Sequence, residues 1–134
     1  MIKQGIKGNA IDWNEQFKIR PRRNASSKHE VIKTLLVRSL IEKYKSNLHW
    51  IRIYTEYPIG EGKVCDVYFE NILRKEIICY EIQKVVTDKW LKETTKAYQD
   101  FESAYFDTDW IMIRENDLPE TINELDDKLK GYIA

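Results

Sequence analysis

Gly62-Lys63-Val64-Cys65-Asp66-Val67-Tyr68-Phe69 and Glu76-Ile77-Ile78-Cys79-Tyr80-Glu81-Ile82-Gln83-Lys84 form the stretch on which the reading of this chain turns. Both runs are rich in β-branched and aromatic residues and read as strands, yet each carries an acid inside its apolar run. Successive side chains of a strand face opposite sides, so Glu81 and Gln83 share one face while Ile82 and Lys84 take the other. If the two runs pair, Asp66 joins Glu81. Two carboxylates held close on a rigid sheet repel each other unless a cation lies between them, and hard oxygen donors of this kind suit Mg²⁺ or Mn²⁺. The competing reading is structural: an exposed strand face, or ion pairs with Lys63 or Lys84.

Outward from this stretch, the chain alternates from Leu48 to Pro58, with Trp50, Arg52, Tyr54 and Glu56 on one side and Ile51, Ile53 and Thr55 on the other. Pro58, Gly60 and Gly62 mark a turn, and Glu70–Lys75 makes a loop of ordinary length between the two acidic strands. From Lys28 to about Lys45, Val31, Ile32, Leu35, Leu36, Ser39, Leu40 and Tyr44 recur at three- and four-residue spacing, the stripe of an amphipathic helix with a basic opposite face. Ser26 or Ser27 followed by Glu30 has the form of a capping box at its start. Trp90, Leu91, Thr94, Ala97, Tyr98, Phe101 and Tyr105 predict a second helix capped by Thr87 or Asp88. Trp110–Arg114 reads as a short buried strand, and Pro119 to about Lys130 as a terminal helix ending at Gly131.

Residues 1–25 show no regular period. They hold Gly5, Gly8, Trp13, Phe17 and Pro21 with the cations Lys18, Arg20, Arg22 and Arg23, and read as a basic N-terminal arm. The predicted order is therefore helix, three strands, helix, strand, helix: an arm over 1–25, a core over 26–114 and a C-terminal helix in 115–134. At 134 residues this is one domain, long enough for a mixed sheet flanked by helices and too short for a second core.

The formal charge of +0 hides an asymmetry, since residues 1–52 hold 12 Lys/Arg against 4 Asp/Glu and residues 53–134 hold 10 against 18. A basic N-terminal third suits a polyanion and an acidic remainder suits a cation; mutual neutralisation within the fold or across a dimer is the alternative. No apolar run approaches the length of a membrane span and the N-terminus lacks a signal-peptide core, so a soluble, cytoplasmic protein is expected. Cys65 and Cys79 offer neither zinc spacing nor a secreted disulfide framework and are expected as buried thiols. His29 and His49 are too few and too scattered for a zinc site and are expected at the surface or its boundary.

An Asp on one strand followed by Glu-x-Gln-Lys on the next, Asp66 then Glu81-Ile82-Gln83-Lys84, resembles the PD-(D/E)XK nuclease superfamily, which includes archaeal Holliday junction resolvases and many restriction enzymes. The predicted αβββαβ order matches the restriction-endonuclease-like core of that superfamily. In the usual motif the acid is followed by x-Lys; here Gln83 takes that place and Lys84 lies one residue on. The resemblance implies a Mg²⁺ or Mn²⁺ cofactor held by Asp66, Glu81 and the Ile82 carbonyl, with Glu30 of the first helix a further ligand. Gln83, or Lys84 if a bulge swings it round, would stand beside the attacking water, with Lys89 and Lys92 as further lysines within reach. Glu42, Glu56 and Glu61 are weaker acidic candidates.

The function this implies is a metal-dependent deoxyribonuclease, an endonuclease acting on DNA at branched or junction sites and working as a homodimer. Backbone phosphates would meet Lys18, Arg20, Arg22, Arg23, Lys28, Lys33 and Arg38, since phosphate binding needs cations and no particular sequence. Trp50, Tyr54, Tyr57, Tyr68 and Tyr80 could stack on splayed bases or fill the core. Two rivals remain: a catalytically inactive nucleic-acid-binding module of the same fold, motivated by Gln83, and a protein-interaction domain whose acidic half docks a basic partner.

Overall fold

Residues 16–60, 62–101 and 106–133 are described in the computed structural model of the chain. Over these residues five strands build one mixed sheet in sequential order: β1 (Phe17–Lys18), β2 (Ile51–Gly60), β3 (Lys63–Asn71), β4 (Glu76–Gln83) and β5 (Asp107–Arg114). The helices are α1 (Ser27–Lys43), α2 (Asp88–Asp100) and α3 (Ile122–Leu129). Strands β2, β3 and β4 pair antiparallel, while β1 runs parallel to β2 and β4 parallel to β5. A parallel pair needs a crossover, and α1 and α2 supply the two. None of the helices is long and apolar enough to cross a membrane among the described residues.

Both faces of the sheet are covered, which explains why β3 and β4 read as nearly continuous apolar runs rather than alternating ones. On one face Ile53, Val67, Phe69, Ile78, Tyr80 and Ile113 pack against Ile32, Leu36 and Leu40 of α1 and Leu125 and Leu129 of α3. On the other, Cys65, Tyr68, Ile77 and Cys79 pack with Tyr98 of α2. The product is an α/β architecture with α1 and α3 on one side of the sheet and α2 on the other. Phe69 is fully buried, and its truncation to Ala costs about 3–5 kcal/mol at such a site.

Local signals set most of the ends. Thr87 caps α2 by accepting the Trp90 N–H at 3.0 Å, and Ser26 caps α1 by accepting the His29 N–H at 3.1 Å. Glu30 does not complete a capping box, because with Ser26 as cap the third helical position is His29; the Glu30 carboxylate instead accepts the Arg22 N–H at 3.1 Å. The arm also differs from its reading. Phe17–Lys18 adds a parallel edge strand, pinned where Ile53 N–H donates to the Gln16 carbonyl at 3.0 Å. Strand β2 starts at Ile51 because Lys45–Trp50 coils into a 3-10 segment, and the terminal helix starts only at Ile122, after Pro119. Trp13, Glu61, Tyr105, Gly5 and Gly8 lie outside the described residues.

At Glu56 the backbone takes a left-handed φ of +52°, a conformation disfavoured for a residue with a Cβ. The strict alternation of β2 ends there. Tyr54 and Tyr57, three apart and so on opposite faces of a regular strand, stack on one side with ring centroids 5.4 Å apart.

Candidate functional site

The two motif acids stand on adjacent strands. Val67 pairs with Tyr80 and Tyr68 with Cys79, so Asp66 and Glu81 follow one step beyond the last paired residues of β3 and β4. There the Asp66 side chain takes over from the ladder, its Oδ2 accepting the Ile82 N–H at 2.7 Å. Both acids are 3% exposed, and buried carboxylates require partners.

Each acid has its own set, from opposite faces of the sheet. Asp66 Oδ1 lies 3.2 Å from His29 Nε2 and 3.5 Å from an Arg22 guanidinium nitrogen. Glu81 Oε1 lies 3.5 Å from the Lys63 ammonium, and its Oε2 accepts the Tyr98 hydroxyl. Lys63 in turn donates to Thr94 Oγ1 at 3.1 Å and sits 5.1 Å above the Trp90 ring, a cation–π contact. Burial, and after it the Asp66 charge, push the Glu81 carboxyl up to about 7 against the pull of Tyr98 and Lys63.

His29 departs from its expected surface position. It is 5% exposed, its Nδ1 lies 2.9 Å from Glu30 Oε2, and its Nε2 faces Asp66 without a well-aligned hydrogen bond. Burial works against the imidazolium, but the Asp66 and Glu30 carboxylates outweigh it and raise the His29 pKa above its usual value. Glu30 therefore meets Asp66 through His29. Its own carboxyl is drawn down: burial would raise it, and the partners His29, Arg22 and Lys33 prevail.

A cavity of about 230 Å³ opens on this cluster, walled by Arg22, Glu56, Lys63, Glu81, Gln83 and Trp90 among others. Gln83 lines it, with its amide donating to the Val85 carbonyl at 3.1 Å. Lys84 stays outside; its side chain is exposed and its carbonyl accepts from Asn116 at 3.2 Å. Lys89 and Lys92 are exposed on α2 and do not line the cavity, whose ammonium comes instead from Lys63. Glu42 pairs with Lys45 at the surface.

The seven cations expected on one phosphate surface are dispersed. Lys33 is 3% exposed, with its ammonium enclosed by the Arg20 carbonyl at 2.8 Å, Glu30 at 3.1 Å and Glu56 at 3.2 Å, so it ties α1 to the segment before it and is not a surface contact. Lys28 donates to the Leu118 carbonyl and pairs with Glu120, ahead of α3. Arg38 lines a separate cavity with Lys43, Asp126 and Lys130. Lys18, Arg20, Arg22 and Arg23 remain near the acids or on the surface before α1, with Arg22 reaching Asp66 itself. Of the aromatic set, Tyr68 and Tyr80 are core, Tyr54 and Tyr57 are half-buried and Trp50 is exposed.

Carboxylate oxygens are the donors a hard dication takes. Asp66 is neutralised here by Arg22 and His29 and Glu81 by Lys63, positive charge that a bound ion would supply in their place. Among the described residues no three His, Cys, Asp or Glu side chains stand close enough to cage an ion. Asp66 and Glu81 would hold it as a pair, with a backbone oxygen such as that of Ile82, waters and substrate phosphate completing the shell, the mode Mg²⁺ favours.

His29 and Tyr98 are site residues the sequence reading did not place there, whereas Lys63 pairs with Glu81 as the competing structural reading had it. His29 carried a faint signal in its position beside the Ser26 cap, and Tyr98 in lying on the apolar stripe of α2. No protein-family model matches this chain, and no characterised protein or solved structure is detectably similar to it.

Proposed function

We propose that this chain is a metal-dependent nuclease that hydrolyses DNA phosphodiester bonds, acting as an endonuclease. One observation carries the reading: the buried acids Asp66 and Glu81 stand on adjacent strands one step beyond their last paired residues, and Glu81 lines a cavity that also presents Lys63, Gln83 and Arg22, the partner of Asp66. The order α1-β2-β3-β4-α2-β5 supports it, being the αβββαβ order of the PD-(D/E)XK fold. Asp66 and Glu81 would hold a Mg²⁺ or Mn²⁺ ion, which would supply charge neutralisation on the scissile phosphate and lower the pKa of the attacking water.

The protein's own groups divide the remaining work. Arg22, with its side chain about half exposed, is placed to bind a phosphate oxygen entering the cavity. Lys63 brings an ammonium to Glu81 from the start of β3, and so takes the role that a lysine at position 83 has in the usual motif. The amide of Gln83 hydrogen-bonds a water and orients it but does not take its proton. His29 and Glu30 are positioning residues, fixing the Asp66 carboxylate through the imidazole. On a four-way junction the reading calls for two copies, one for each strand cut.

A second reading, an inactive nucleic-acid-binding module, is favoured by a specific observation: every oxygen of Asp66 and Glu81 already has a protein partner. Cleavage of labelled junction, flap, duplex and single-stranded DNA with Mg²⁺ or Mn²⁺ separates the two. The nuclease reading expects cutting by the wild type and none by Asp66→Ala or Glu81→Ala. Retained DNA binding with no cutting of any substrate selects the module.

A further inference from the structure

A second cavity, of about 400 Å³, adjoins the first and is walled chiefly by Lys18, Arg20, Tyr54, Thr55, Glu56 and Tyr57. Glu56 lines both cavities, so they meet at one side chain of β2. The volume falls in the range of small-ligand sites, about 300–1,000 Å³. Its lining is of two kinds, aromatic and cationic.

The aromatic wall is a rigid platform. Tyr54 stacks on Tyr57 and, at 5.5 Å, on the buried Tyr68, while Tyr57 meets Tyr68 tilted at 4.3 Å; the Tyr68 hydroxyl donates to Glu70 at 2.7 Å. The turn of the backbone at Glu56 is what brings the two half-buried rings to one side. The cationic wall is equally well fixed. Lys18 holds its ammonium 5.9 Å from the Tyr54 ring centroid. The Arg20 backbone is clamped, its N–H donating to Thr55 Oγ1 and its carbonyl accepting from Thr55 at 3.0 Å and from Lys33 at 2.8 Å, while its side chain is exposed. Glu56, the acid at the junction of the cavities, is neutralised by the buried Lys33 at 3.2 Å, so a passing phosphate does not meet a bare carboxylate.

We infer that this groove takes an unpaired nucleotide of single-stranded DNA, its base against Tyr54 and Tyr57 and its phosphate on Lys18 and Arg20. The role in cleavage rests on the nuclease reading above: the groove holds the nucleotide next to the phosphate in the cavity lined by Arg22, Lys63 and Glu81. A base inside a continuous duplex has both faces covered by its neighbours and cannot lie on a protein ring, whereas an unpaired one can, whatever its identity. The substrate class is therefore single-stranded DNA, or a single-stranded segment beside a duplex, in preference to intact duplex.

The test is binding by fluorescence anisotropy in EDTA, with labelled single-stranded and blunt duplex DNA at matched salt. The expected result is tighter binding of the single strand, weakened roughly tenfold by Tyr57→Ala and by Arg20→Ala and retained by Tyr57→Phe, because stacking needs the ring and not the hydroxyl. Equal or tighter binding of duplex, or a folded Tyr57→Ala that binds the single strand like wild type, overturns the proposal. Should Tyr57→Ala fail to fold, Arg20→Ala together with quenching of 2-aminopurine in the single strand decides; no quenching by wild type overturns it. Cleavage with Mn²⁺, read separately, keeps the two claims apart. Single-strand binding through the groove with no cutting upholds the groove and refutes the nuclease, while single-strand cutting unaffected by Tyr57→Ala refutes the groove alone.

Discussion

Asp66 Oδ2 accepts the backbone N–H of Ile82 at 2.7 Å, so the motif acid of β3 is bonded to the residue that follows the motif acid of β4. The carboxylate thus serves as a structural clasp where the backbone ladder between the strands ends. Asp66→Ala leaves a buried N–H without an acceptor and His29 without its facing charge, and is expected to cost about 2–3 kcal/mol. Asp66→Asn keeps an acceptor oxygen and is expected to cost about 1 kcal/mol. Urea unfolding of the two variants checks this ordering; an Asn variant as unstable as the Ala variant would contradict the clasp.

Two buried carboxylates on adjacent strands, if they bind an ion as proposed, should make the fold respond to divalent cations. Mn²⁺ at a hundredfold excess over its Kd is expected to stabilise the wild type by about 2.7 kcal/mol, reversed by EDTA and absent in Asp66→Asn and Glu81→Gln. Thermal unfolding with and without the ion reads this directly. An unchanged Tm would refute ion binding at this pair whatever the nuclease assays show.

Lys63 is placed to act as the cation the motif lacks at position 83. Lys63→Met is expected to lower cleavage by about 10²-fold, the scale of losing one positioned group in proton transfer or charge stabilisation. Adding Gln83→Lys to that variant is expected to restore roughly a tenth or more of the lost rate, since residue 83 lines the same cavity. Single-turnover cleavage rates of the single and double variants test the exchange. No recovery would mean that the ammonium must come from β3.

Ser26 has two tasks, capping α1 and donating its hydroxyl to the buried Glu115 at 2.7 Å. Ser26→Ala loses both and is expected to cost about 1–2 kcal/mol. Ser26→Thr should approach wild type. Ser26→Asp should fall below Ser26→Thr despite being a good cap, because its charge would face the Glu115 carboxylate. Denaturant midpoints of the three variants give the order.

Cys65 and Cys79 are both fully buried, and burial pushes the Cys65 thiol pKa well up. Neither is expected to react with a thiol reagent in the native protein at neutral pH, and both are expected to react in denaturant. Rapid labelling of native protein at either thiol would contradict the burial.

Strand β4 and the stripe of α1 were legible because a period needs no partner to be read: burial of one face, or of both, imprints itself on neighbouring residues. The pairing of the two acidic strands was legible as well, being a hairpin of consecutive runs, but not that Asp66 and Glu81 take their partners from opposite faces of the sheet. The Ser26 and Thr87 caps were also local, each a hydroxyl bonding an N–H three residues on. The edge strand Phe17–Lys18 was not, because two residues carry no period and pair only after β2 exists.

The site separates along the same line. Its two acids and Gln83 belong to the hairpin strands, and their order in the sequence placed them together. His29, buried against Asp66, and Lys33, turned inward between Glu30 and Glu56, depend on how α1 docks on the sheet, a choice spread over the whole apolar face of the helix. Lys63 reaches Glu81 because α2 offers Thr94 and Trp90 to hold its ammonium there. The sequence by itself determined the three helices, strands β2 to β5, their order and the placing of the two acids on adjacent strands, all consequences of local periodicity and strand pairing. Only the tertiary structure decided which cations and hydroxyls surround that pair, because such contacts join residues far apart in the chain through packing that no short window records.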